Sequence, residues 1–127
     1  MPLYTVITKN GSVADGTKAK IAEEITRIHT AVMKVPRSFV RVVFLSYPKG
    51  SGFSAGQASS TAAVNCVLRS GHSAAKKADA LKQLWALFQN LTGLPTDQIA
   101  ISLQEVLSSN AMEMGQTMPA VGEKTNA

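Results

Sequence analysis

Val35-Pro36-Arg37-Ser38-Phe39-Val40-Arg41-Val42-Val43-Phe44-Leu45-Ser46 is a stop signal followed by a strand. The residue before a proline is pushed out of the α region, so Val35-Pro36 ends any helix that precedes it. The β-branched and aromatic residues after it predict a strand over 38–46. The same order returns later in the chain. At an offset of 59 residues, Val35-Pro36 falls on Leu94-Pro95, Val40 on Ile99 and Val42 on Ile101. Upstream, Ile25, Ile28 and Val32 fall on Leu84, Leu87 and Leu91. Such a match is the mark of an internal repeat, here of one β-α-β unit.

Working outward, residues 3–8 (Leu-Tyr-Thr-Val-Ile-Thr) read as the first strand and stop at the turn Asn10-Gly11. Ile21, Ile25, Ile28 and Val32 form a helical stripe within a helix expected from Ala14 to Met33. The stretch from Tyr47 to Ser60 reads as a connection or short hairpin. Residues 62–69 are the third strand, and a second helix runs from Ser73 to Leu91 with Leu81, Leu84, Phe88 and Leu91 on one stripe. Gly93-Leu94-Pro95 ends it, and residues 98–104 are the fourth strand. The tail begins at Leu107 and is expected to fray from Val121. The expected class is α+β in a single domain, residues 1–127, with repeat units at about 2–46 and 62–105. Parallel strands in each unit require a crossover helix. Two units side by side give a four-stranded mixed sheet with both helices on one face. The second strand is apolar on both sides: Phe39, Val43 and Leu45 on one, Val40, Val42 and Phe44 on the other. Two helices cover one face only, so the other is expected to be buried in a homo-oligomer.

Composition narrows the partners. The chain has 127 residues, 45% of them apolar and 17% charged, and a formal net charge of +5. That balance favours anionic ligands. Basic residues never run beyond two and are not interleaved with aromatics, which argues against nucleic acid. Cys66 is the single cysteine, which excludes an intrachain disulfide. Two histidines 43 residues apart make no metal motif, and neither a metal nor a cofactor is expected. No apolar run reaches a membrane-spanning length, so no membrane association and a cytoplasmic location are expected.

Five positions carry candidate chemistry. Pro2 follows the initiator methionine, which is normally removed before so small a residue; the mature chain is then expected to begin with a secondary amine. An α-amino group titrates at about 7.7–8.0 and serves as a general acid or base once tuned. Pro2 begins the first strand, at the sheet edge of the first unit. Arg69 ends the third, which the repeat places beside it, where a cation can hold a carboxylate. His29 lies at the border of the first helix's apolar stripe. His72 stands in the turn before the second helix, with Ser73 as an N-cap candidate. Glu113 is a carboxylate in the apolar segment Asn110-Ala-Met-Glu-Met-Gly115, where desolvation would raise its affinity for a proton and fit it to activate water.

Met1-Pro2-x-Tyr4, the two β-α-β units and an arginine ending the third strand together resemble the tautomerase superfamily, and within it the cis-3-chloroacrylic acid dehalogenase group. The resemblance runs from Pro2 to Pro119. Its anchors are Pro2-Leu-Tyr4, Ile25-Thr26-Arg-Ile-His29, Phe39-Val40-x-Val42-x-Phe44, Arg69-x-Gly71, and Met112-Glu113-x-Gly115 followed by Pro119. It implies a tautomerase/MIF-like fold, a homotrimer and a small anionic carboxylate substrate. It gives Pro2 as the proton-transferring amine, His29 and Arg69 as carboxylate ligands, and Glu113 as the residue that aligns water. Tyr4, His72 and Ser102 fall at substrate-binding positions. Two of these depart from the group: His72 stands where it has a second arginine, and Ser102 where it has a tyrosine. The implied activity is enol–keto tautomerisation of 2-oxo or enol acids. The alternatives are hydration or hydrolytic dehalogenation of cis-3-haloacrylates, and a non-catalytic binding or signalling protein on the same scaffold.

Overall fold

A computed structural model describes residues 1–121; the tail segment expected to fray lies mostly outside the described residues. β1 (Leu3–Lys9), β2 (Arg41–Tyr47), β5 (Ala62–Arg69) and β6 (Ile99–Val106) form one sheet in the order β2-β1-β5-β6. β1 runs parallel to β2 and β5 parallel to β6, while the central pair β1–β5 is antiparallel. Each parallel pair needs a crossover. α1 (Asp15–Met33) and α2 (Ala74–Thr92) supply them. β1 is therefore a central strand, and Pro2 lies at the end of the sheet between β2 and β5 rather than on an edge strand.

The repeat is closer than the helix stripes alone indicate. Leu3 pairs with Arg41 and Ala63 with Ala100, so the first strands of the two units are offset by 60 residues and the second strands by 59. One residue is lost in the shorter loop before α2. The repeat also extends beyond the strands. β3 (Phe53–Ser54) and β4 (Gln57–Ala58) make a hairpin after β2, and β7 (Met112–Glu113) and β8 (Gln116–Thr117) make its counterpart after β6. Positive φ at both turn residues, Ala55-Gly56 and Met114-Gly115, gives each hairpin the twist its strands require. The connection read at 47–60 is thus a hairpin, and so is part of the tail.

Alternation along the strands sorts the two faces. Tyr4, Val6, Val64, Cys66 and Leu68 turn towards the helices and pack with Ile21, Ile25, Ile28, Leu84 and Phe88. Ala80, rather than Leu81, takes the deepest position in the first turns of α2. Phe39 also departs from expectation. Residues 37–39 form a 3-10 turn, with Phe39 N–H donating to the Pro36 carbonyl, and the ring is buried in that turn instead of lying beside Val43 on the sheet. α1 ends with Lys34 in the left-handed region, and α2 with Gly93. Ser73 caps α2 as expected, accepting from the Lys76 backbone N–H.

The face away from the helices is left open. Leu3, Val43 and Leu45 are exposed there, and Ser102 and Asn65 meet on the same face through a 2.9 Å hydrogen bond.

Candidate active site

The start of β1, the ends of β5 and β6, the last turns of α1 and the N-terminus of α2 converge at one end of the sheet. The Arg41 backbone N–H donates to the Pro2 carbonyl at 3.1 Å, fixing the chain start against β2. Pro2 is fully buried. One residue earlier, the Met1 amino group donates to Glu113 Oε1. Glu113 reaches it because the left-handed Met114-Gly115 turn folds the β7–β8 hairpin back across this end of the sheet. The carboxylate side chain is 8% exposed, and its second oxygen, Oε2, is buried without a partner.

Three causes push the terminal amine down to about 6: burial first, then the Arg41 and Arg69 guanidinium charges. The Glu113 carboxylate in contact favours the charged form and pulls the other way. An amine at this position is thus held between opposing influences near neutral pH, the condition general acid–base chemistry needs.

Arg69 is buried, and its guanidinium is already engaged. Nη1 donates to the Pro119 carbonyl at 2.6 Å and to the Ala120 carbonyl at 3.4 Å. One guanidinium nitrogen thus reaches two backbone oxygens, acceptors that a substrate carboxylate could replace. The tail is held over the site by a second contact. Gly71 has φ of +111°, and a Cβ there would sit 3.2 Å from Cβ of Val121. Glycine at 71 therefore permits both the backbone turn and the approach of the tail.

His29 lies deeper than the border position read from its stripe: it is 1% exposed. Its Nδ1 meets the Tyr4 hydroxyl at 2.8 Å. Burial, then repulsion from His72 and from the terminal amine, lower its proton affinity to about 4. The imidazole is neutral at physiological pH. His72 is also buried, with Nδ1 unpartnered. Burial, followed by Arg69, lowers its proton affinity as well, so it too is a neutral donor or acceptor rather than a fixed cation. Cys66 is buried opposite Tyr4 in the β1–β5 register, and burial pushes its thiol up to about 12. It is an inert part of the core.

Pro2, Tyr4, His29, Arg69, His72 and Glu113 are thus gathered at one end of the sheet within one chain. Ser102 is not. It lies on the open face, on the same cross-strand row as Asn65 and Thr5. Sequence reasoning passed over Arg41 and the carbonyls of Pro119 and Ala120. Arg41 had a signal: it opens the second strand, parallel to the strand that Pro2 opens. The carbonyls had none, since a backbone oxygen leaves no mark in the residue types. At the opposite end of the sheet the repeat places Ala62 where Pro2 stands, Ser54 at the position of Glu113 and Phe88 at that of His29. Only one end of the duplicated unit carries the ionisable set. No group of three metal-ligating side chains occurs among the described residues.

A mixed sheet of two β-α-β units, with the amino terminus enclosed by arginines and a carboxylate at its end, defines the tautomerase fold class. The chain belongs to the tautomerase superfamily: the family described as "Putative oxalocrotonate tautomerase enzyme" matches residues 1–126. Among solved structures, native Ps01740 is 30% identical, with a TM-score of 0.86 over 87% of this chain and 99% of that one. N1, a member of the cis-3-chloroacrylic acid dehalogenase family, is 26% identical, with a TM-score of 0.89 over 94% of this chain and 85% of its own. A fused 4-OT symmetric trimer is 19% identical and shares the fold, with a TM-score of 0.85 over 95% of this chain and 99% of that chain. No curated protein matches the chain. Among the described residues no helix is long and apolar enough to cross a membrane.

Proposed function

We propose that the chain is an enzyme that uses the Pro2 nitrogen, freed by removal of Met1, to move a proton between oxygen and carbon of small 2-oxo or enol carboxylic acids. The observation that carries this is the enclosure of the amino terminus beside Arg41, Arg69 and Glu113. A secondary amine there is neutral near pH 7 when burial and the arginines prevail over the carboxylate. It then takes the enol proton, and its conjugate acid returns one to carbon. The Arg69 guanidinium binds the substrate carboxylate in place of the tail carbonyls. His72 and His29 complete the pocket, with Tyr4 behind His29. A homotrimer belongs to this reading, because the open sheet face carries Leu3, Val43 and Leu45 and the fold is that of a protein solved as a trimer. In such an assembly Ser102 lies at a subunit boundary. The cytoplasmic location rests on the sequence and is open to cell fractionation.

Glu113 favours a second reading. Its buried, unpartnered Oε2 is an acceptor suited to a water molecule. If Glu113 prevails and keeps the amine protonated, the amine acts as an acid at one carbon while the held water attacks the other, which is hydration or dehalogenation of a 3-substituted acrylate.

The test is ketonisation of an aryl enolpyruvate by wild type and Pro2→Ala, with mass confirmation that Met1 is gone. A rate that collapses in the variant supports the proline amine. Retention of Met1 makes Pro2 an ordinary amide and sinks the enzymatic reading in favour of a binding protein.

A further inference from the structure

Tyr4 and His29 are both buried, yet between them they hold three polar atoms that need partners. The Tyr4 hydroxyl lies 2.8 Å from His29 Nδ1, and the two rings meet edge to face with centroids 5.5 Å apart at 87°. A neutral imidazole carries one N–H, on either nitrogen, and the partner of the other nitrogen decides which. The phenol supplies the decision here. Its single proton must find an acceptor, since a buried unsatisfied hydroxyl costs about 1–3 kcal/mol. Nδ1 is the strong acceptor within reach; the neighbouring Cys66 sulfur is a weak one. If Nδ1 carried the imidazole proton, the phenol proton would be left without a comparable partner. With the phenol donating, the hydroxyl and Nδ1 satisfy each other and the imidazole proton is forced onto Nε2.

We infer that Tyr4 is a positioning residue, which locks His29 as a neutral Nε2–H donor directed to the substrate end of the site rather than touching substrate itself. The orientation of the pair supports this. The Tyr4 hydroxyl occupies Nδ1, which leaves Nε2 as the ring nitrogen open to a ligand, and His72 and the terminal amine are both near enough to repel a charge on His29. Tyr4 instead lies on the helix side of β1, opposite Cys66. A neutral donor hydrogen-bonds a developing enolate or carbonyl oxygen without adding charge, while Arg69 takes the carboxylate. The division of labour selects substrates with an oxygen next to the carboxylate, as 2-oxo acids have. This last step rests on the proposed tautomerase reading; the tautomer does not.

The chain contains two histidines, so nitrogen NMR of the uniformly labelled protein resolves them, with His72→Gln assigning the signals. At neutral pH, His29 is expected to show an unprotonated, pyridine-type Nδ1 and a protonated, pyrrole-type Nε2. In Tyr4→Phe the two nitrogens should move towards averaged values as both tautomers become populated. A protonated Nδ1 in the wild type overturns the inference, as does a His29 pattern that Tyr4→Phe leaves unchanged. These outcomes stand whether or not a substrate is turned over. Where activity is measurable, Tyr4→Phe is expected to lower kcat/KM by roughly 2- to 10-fold, the worth of one net hydrogen bond. In a His29→Gln background, whose amide N–H needs no tautomer, Tyr4→Phe should have no further effect. Additive losses would make Tyr4 a direct substrate ligand instead.

Discussion

Arg41→Gln and Glu113→Gln should move the pH dependence of catalysis in opposite directions. The Met1 amine lies at about 6 instead of its ordinary 8.0 because it is buried and faces two guanidinium groups, and a Pro2 amine freed beside the same groups is expected to be lowered in the same direction. At pH 7 an amine titrating at 8 is roughly one-tenth neutral and one titrating at 6 roughly nine-tenths, so a lowering as large as that of the Met1 amine would give the proline about tenfold more neutral base. Arg41 is exposed, so its charge acts through water and is worth about 1 kcal/mol or less at contact range. Its removal lifts the midpoint of the kcat/KM–pH profile by less than one pH unit, since burial, the largest cause, remains. Glu113 touches the amine and is shielded from water, so its attraction is larger, about 1–4 kcal/mol. Glu113→Gln removes the group that favours the protonated form and drops the midpoint below the wild-type value by about one pH unit or more. For a base mechanism the rate rises with pH through the midpoint, because the neutral amine is the active form. The assay is ketonisation of an enolpyruvate from pH 4.5 to 9, paired with direct titration of the nitrogen-labelled proline amine. Variants that shift the midpoint the same way would refute the electrostatic account. A wild-type midpoint at or above 8 would mean that Glu113 prevails, and would move the mechanism to the acid form.

Three further outcomes are expected. His29 is buried neutral with its proton affinity lowered to about 4, so below pH 6.5 the unfolded chain takes up a proton that the folded one refuses. Stability should fall by about 1.4 kcal/mol per pH unit from 6.5 towards 4, about 3 kcal/mol in all. Urea unfolding of wild type should show this slope and His29→Gln should lack it; parallel slopes would contradict the assignment. A chain ending at Met118 loses the carbonyls that occupy Arg69, so KM for a carboxylate substrate should fall several-fold, whereas a rise would show that the tail helps to form the pocket. Leu45→Lys puts a charge on the open sheet face, on edge strand β2, and should shift sedimentation towards the monomer while leaving the β1–α1 core intact.

Much of the fold was legible because it is local. A proline break, a helical stripe and a β-branched run each state their own geometry, and their return after 59 residues states the duplication. The places where the reading slipped are those where a tertiary contact outbid the local pattern. Phe39 reads as strand by residue type, but the 3-10 turn after Pro36 sends its ring into the core. Leu81 fits the stripe of α2, yet Ala80 is the residue of that turn that packing buries completely.

The sequence by itself determined two β-α-β units, an apolar face left over, and which residue types could carry charge chemistry, because periodicity and side-chain chemistry are properties of the chain. It could not decide what each group meets. Tyr4 and His29 are 25 residues apart and meet because α1 packs back over β1 within the first unit, whereas Met1 and Glu113 are 112 apart and meet only through the antiparallel joining of the two units. The same packing buries them, and burial is what holds His29 neutral and lowers the terminal amine. Proton affinity depends on neighbours and on exclusion of water, and neither exists until the chain is folded.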